Sequence, residues 1–199
     1  ISDRRNDFDA LVAFVQYLHD SKARGIGFNS IGFDYEVLHA IITRGLRTAA
    51  AIYDKAQSVI DSNDFGGFNG TWPSDWLFEQ IDLYKLWHFD NNNKRTSLKA
   101  LEIGMCSESV VDLPFPVGTY LTDDQVDTLI IYNKHDVRET LKFYARSQQQ
   151  LRLREALSER YGVSMLNMSN TKIGGTILIQ EMEQAGIQCF ERINNRKTP

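Results

Sequence analysis

The sequence predicts a helix-rich α/β domain. Apolar positions recur at helical spacing in several segments, two short stretches carry strand patterns, and Gly, Pro and capping residues separate them. The strand-like stretches are fewer than a stable sheet needs. The chain opens on Ile1 rather than Met and closes on Arg196-Lys197-Thr198-Pro199. Both ends read as cuts in a longer polypeptide, so part of the sheet is expected before Ile1.

The first element is a helix from about Asp9 to Leu18, with Asp7 or Asp9 as its N-cap. Gly25-Ile26-Gly27-Phe28 reads as a strand end with close backbone approach. A helix from about Phe33 to Arg44 is closed by Gly45, and another spans about Thr48 to Ile60. The turn-rich segment from Asp61 to Ser74 is expected to be an exposed excursion. Gln80 to Trp87 alternates like a half-buried strand. A polar loop from Asp90 to Arg95 leads into a helix from about Ser97 to Met105. Pro114 and Pro116 keep the following segment out of helix. Thr122 and Gln125 form a capping box that opens one long helical region, stopped by Gly162 after Tyr161. Ser169 caps a last helix, about Lys172 to Gln184, which ends at Gly186.

Composition narrows the function classes. The 199 residues are 42% hydrophobic and 24% charged, enough for a buried core and too apolar for a disordered tail. A formal charge of −4 argues against a general basic clamp on duplex nucleic acid, so any such contact is local. Cys106 and Cys189 lack CxxC spacing, which suits neither a disulfide framework nor a zinc site and fits a reducing compartment. No apolar run approaches the ~18 residues of a membrane span, and no signal-peptide pattern opens the chain.

Two acidic motifs carry the chemistry. In Tyr132-Asn133-Lys134-His135-Asp136, the tyrosine and aspartate are four apart and share one helix face. A carboxylate there can hold a hard divalent cation, and the phenol can hydrogen-bond an attacking water. His135 faces elsewhere on the helix, as a neutral surface or core residue. The second motif is Gly27-Phe28-Asn29-Ser30-Ile31-Gly32-Phe33-Asp34. One reading has Asn29 or Ser30 capping the helix, with Asp34 complementing its dipole. The other makes Asp34 a metal-site carboxylate, with Asn29 and Phe33 engaging a nucleotide by hydrogen bond and stacking.

Together these motifs resemble the second and third exonuclease motifs of the DEDDy group of 3′–5′ exonucleases, especially the proofreading domains of family B DNA polymerases. Asn29, Phe33 and Asp34 match Asn-x3-Phe-Asp, and Tyr132 and Asp136 match Tyr-x3-Asp. The histidine branch of the group needs a His five residues before the last Asp, where this chain has Ile131. Thr96-Ser97-Leu98-Lys99-Ala100-Leu101 resembles the family's (Ser/Thr)-Leu-x2-hydrophobic element. That likeness implies that Ser97 and Leu98 touch the primer end, while the local reading of Ser97 is a helix N-cap. The wording from Ile81 to Thr140 looks like phage polymerases, and the resemblance covers most of residues 20 to 185.

The resemblance implies a ribonuclease H-like fold lacking its first strands, with the exonuclease domain over residues 1–160. Residues 161–199 would lead toward a polymerase palm region. It implies two divalent ions, Mg2+ or Mn2+, with Asp34 and Asp136 as metal ligands and Asp34, Tyr132 and Asp136 as catalytic residues. The implied partners are the 3′ end of single-stranded DNA and a polymerase domain of the same polypeptide. No membrane is implied, and a phage protein of this kind works in the host cytoplasm. The family's first motif, Asp-x-Glu on a strand, is expected upstream of Ile1; Asp7-Phe8-Asp9 has its spacing but ends in Asp and follows polar residues. The family's lysine element has no counterpart between Val110 and Ile131. Competing readings are a free-standing DEDDy exonuclease on DNA or RNA and a non-catalytic nucleic-acid-binding relative.

Overall fold

The computed structural model describes residues 5–64, 70–91 and 93–189. Helix α1 (Phe8–Asp20) precedes strand β1 (Arg24–Gly27), and helices α2 (Asp34–Arg44) and α3 (Ala49–Asp64) follow. After a single 3-10 turn at Pro73–Asp75 come strand β2 (Glu79–Asp82), the one-turn helix α4 (Leu83–Leu86) and α5 (Leu98–Gly104). Helices α6 (Asp123–Arg146), α7 (Gln148–Tyr161) and α8 (Asn170–Gln184) complete the described chain. The architecture is mixed α/β and helix-rich, as the pattern predicts.

Among the described residues the sheet has two strands. β1 pairs in parallel with β2, Ile26 opposite Ile81 and Gly27 opposite Asp82. α5 and β1 both pack against α6, the longest helix. The core gathers Ile81, Leu83, Leu86, Met105, Phe143, Leu151 and Leu166, with Phe28, Trp87 and Tyr144 against it. Phe28 meets Tyr84 edge-on at 5.2 Å between centroids, a favoured aromatic geometry. Leu83 and Met165 are completely inaccessible. Replacing Leu83 with Ala would therefore open a cavity costing roughly 2–5 kcal/mol.

Local signals in the sequence locate several boundaries. Gly45 (φ 66°) and Gly162 (φ 65°) end α2 and α7 in the left-handed region. The Thr122–Gln125 capping box opens α6, with Thr122 N donating to Gln125 Oε1 at 2.9 Å. Ser169 Oγ accepts from Lys172 N at 3.1 Å and caps α8.

Other expectations are corrected. The predicted strand over Gln80 to Trp87 stops at Asp82, whose carboxylate accepts from Tyr84 N at 3.0 Å and turns the chain into α4. The single long helical region is two helices. At the break Ser147 Oγ donates to Phe143 O (2.8 Å) and accepts from Trp87 Nε1 (2.8 Å), so its side chain competes with the helical ladder. Helix α1 starts at Phe8, whose N–H goes to Asn6 Oδ1, and the Asp7 side chain makes no capping bond. The predicted excursion is partly built in: residues 61–64 extend α3, and Thr71 donates through both its backbone N and its hydroxyl to buried Glu36. Residues 65–69 of that segment lie outside the described ones.

Candidate metal centre and active-site cleft

Asp34 is placed by a loop that folds on itself between β1 and α2. Asp82, fully inaccessible at the end of β2, accepts hydrogen bonds from Asn29 N (2.8 Å) and Ile31 N (3.0 Å). This holds Asn29 in the left-handed region at φ 58° and lets Ser30 O accept from Tyr35 N at 2.8 Å. The two glycines are required by packing. A Cβ on Gly27 would lie 2.3 Å from the Ser30 side chain, and one on Gly32 would lie 2.8 Å from Asn29 Oδ1. Neither Asn29 nor Ser30 caps α2; the N-cap is Phe33, without a side-chain cap, and Asp34 takes the first helical position.

The opposite wall comes from one face of α6. Asn133, Asp136, Val137, Thr140 and Leu141 line a cleft of about 530 Å³ together with Asp34, Leu98, Ile26 and Phe28. The structure thus brings Asp34, Asp136 and Leu98 to one cavity from three separate elements. Val137 (68% exposed) and Leu141 (60%) leave its wall apolar beside the two carboxylates. Asn29, Phe33, Ser97 and Tyr132 do not line the cleft. Ser97 Oγ accepts from Ala100 N at 3.2 Å and caps α5, as the local reading has it.

The electrostatics of the cleft follow from its partial burial. Desolvation raises the pKa of Asp34 above the ordinary carboxylate value; its own backbone N–H opposes this and the Asp82 charge adds to it. Asp34 is nevertheless an exposed residue, so solvent screens much of the effect. Asp82 is also pushed up, by burial first, against the pull of the N–H groups of Ile31, Tyr84 and Asn29. The Tyr132 hydroxyl bonds Asp136, and its pKa is pushed up to about 12 by desolvation, by that hydrogen bond and by the charges of Asp136, Glu102 and Asp112. Tyr132 is therefore a neutral donor throughout the physiological range.

Behind Asp136 the sequence reading missed a feature. Among the described residues, Glu102, His135 and Asp136 present ligand atoms that all lie within 4.8 Å of one another, a group that could hold a metal ion. His135, expected to face away, has its Nε2 3.2 Å from Glu102 Oε2. Glu102 is fully inaccessible, on a helix otherwise read for its apolar face. A glutamate between Leu101 and Ile103 was the available signal, and only the packing of α5 on α6 gives it meaning.

A second cavity, of about 450 Å³, is lined by Ile31, Glu36, Trp72, Trp76, Lys85 and Lys172, among others. Its one carboxylate, Glu36, is engaged with Thr71, so the carboxylate chemistry concentrates in the first cleft. No helix among the described residues is long and apolar enough to cross a membrane. Searches for similar proteins find no match to this chain among family models, curated proteins or solved structures.

Proposed function

We propose that this chain is a 3′–5′ exonuclease region of the DEDDy type, built on a ribonuclease H-like fold and acting on the 3′ end of single-stranded DNA, in proofreading for a polymerase. The observation that carries the reading is the meeting of Asp34, Asp136 and Leu98 in one cleft, although the three lie far apart in sequence. The donor set fits hard divalent ions, because both charged groups offer oxygen. Two Mg2+ or Mn2+ ions, when bound, supply a hydroxide nucleophile and stabilise the leaving 3′ oxygen.

The protein's own residues divide the remaining work. Asp136 and Asp34, from opposite walls, would hold the ions. Tyr132, protonated and hydrogen-bonded to Asp136, orients the attacking water. Leu98 and the apolar wall of Ile26, Val137 and Leu141 receive the terminal base without reading its identity.

The test is shortening of 5′-labelled single-stranded DNA in Mg2+, in which the protein is expected to remove nucleotides one at a time from the 3′ end. Asp136→Ala is expected to slow this by about a hundredfold or more, the loss of a metal ligand costing several kcal/mol. Digestion that survives Asp136→Ala removes the site assignment, and no shortening from the 3′ end by the unsubstituted protein removes the reading.

A further inference from the structure

We infer that Glu102, His135 and Asp136 form a mixed nitrogen–oxygen site for a single divalent cation of the imidazole-binding class, Zn2+ or its surrogate Co2+, between α5 and α6. The site shares Asp136 with the exonuclease reading and adds Glu102 and His135, which that reading does not use.

The first ground is spacing. Metal–ligand distances of about 2.0–2.2 Å place neighbouring ligand atoms roughly 3–3.6 Å apart. Glu102 Oε2 and His135 Nε2 already stand at 3.2 Å. The Asp136 ligand atom lies within 4.8 Å of both.

The second ground is an unpartnered buried group. Glu102 is 0% exposed, and its Oε1 has no hydrogen-bond partner. Leaving an ionised oxygen dry and unbonded is costly. Oε1 and Oε2 belong to one carboxylate, whose buried charge a cation at the cluster would offset.

The third ground is charge and donor type. Two carboxylates and a neutral imidazole carry −2 together, which a divalent ion balances. The imidazole selects a borderline ion over Mg2+, which prefers oxygen alone and keeps its waters. The Tyr132 hydroxyl on Asp136 is the kind of outer hydrogen bond that fixes a ligand carboxylate.

The experiment titrates the whole 199-residue chain, stripped with chelator, with Co2+ and follows its visible absorption. One equivalent is expected to bind, and millimolar Mg2+ is not expected to displace it. His135→Gln and Glu102→Gln are each expected to weaken binding by about 10–100-fold, while Asp34→Asn leaves it unchanged. Circular dichroism checks the fold of every variant. Should Glu102→Gln unfold, Zn2+ added to the unsubstituted chain is still expected to shift the His135 ring resonances and not those of His19, His39 or His88. Failure of Co2+ to bind, binding unchanged by His135→Gln, displacement by equimolar Mg2+, unmoved His135 resonances, or binding lost in Asp34→Asn would each overturn the inference. Because Asp34 belongs only to the proposed exonuclease cleft, failure here and failure of that reading are separable.

Discussion

At the scale of single residues, Asp34 is held in a place that its charge does not favour. Desolvation is the largest influence on its carboxyl, and the nearby Asp82 charge acts in the same direction. Its folded pKa is raised above the unfolded value. Its contribution to stability is therefore fully present below the unfolded pKa and is lost as pH rises through the folded one. At neutral pH the ionised side chain is a net cost that solvent screens at this exposed residue, so Asp34→Asn is expected to raise the melting temperature only slightly at pH 7 in chelator. The gain should shrink toward pH 3, where the unsubstituted carboxyl is protonated. A substitution that lowers the melting temperature at pH 7, or whose effect ignores pH, contradicts this account. Asp34 and Asp136 could be picked out of the sequence because aromatic and polar neighbours at fixed offsets mark them. Glu102 and Asp82 could not, since each acts through an element distant in the chain: Glu102 on His135 of α6, and Asp82 on the loop after β1.

At the scale of elements, the boundaries visible in the sequence are those set by a residue and its near neighbours. Gly45, Gly162, the Thr122–Gln125 box and the Ser169 cap are of that kind. The break between α6 and α7 is not, because Ser147 is drawn out by the Trp87 indole, which arrives from β2 and α4. The same contrast explains the loop from Gly27 to Asp34. Its glycines stand out in the sequence, and composition alone gives no reason for them. In the fold they are where the loop closes on itself, with the Ser30 side chain where a Gly27 Cβ would stand. Ser30 is buried and cannot swing freely into solvent. Gly27→Ala is thus expected to destabilise the protein by about 1–3 kcal/mol in urea denaturation, the range for forcing extra atoms into a packed site. A change under about 0.5 kcal/mol, the level of an ordinary surface substitution, would mean that the loop is not packed as described.

At the scale of the whole molecule, the C-terminal part of the described chain is fastened to the sheet and, through it, to the cleft. Asn167 lies between α7 and α8, yet its side chain works as a surrogate strand on β2. Its Oδ1 accepts from Asp82 N at 2.8 Å, and its Nδ2 donates to Gln80 O at 2.7 Å. Met165 and Leu166 beside it are buried, and Leu166 belongs to the same core as Ile81 and Leu83. Arg154 of α7 adds a second tie, its guanidinium donating to Leu86 O and to Asn170 Oδ1. The chain of contacts therefore runs from Asn167 to Asp82, from Asp82 to the backbone of Asn29 and Ile31, and from there to the start of α2 and Asp34. Asn167→Ala removes both amide bonds and leaves a backbone donor and acceptor of β2 without those partners. Each such buried group costs about 1–3 kcal/mol, partly recovered if water enters. The expected loss is roughly 2–4 kcal/mol in urea unfolding with an unchanged slope. If the path through Asp82 carries this strain to the loop, Asn167→Ala and Gly27→Ala will be non-additive, because both perturb the seating of residues 29 to 31. A double-mutant cycle measures this directly. Strict additivity within about 0.3–0.5 kcal/mol would mean that β2 holds the loop without help from the C-terminal segment.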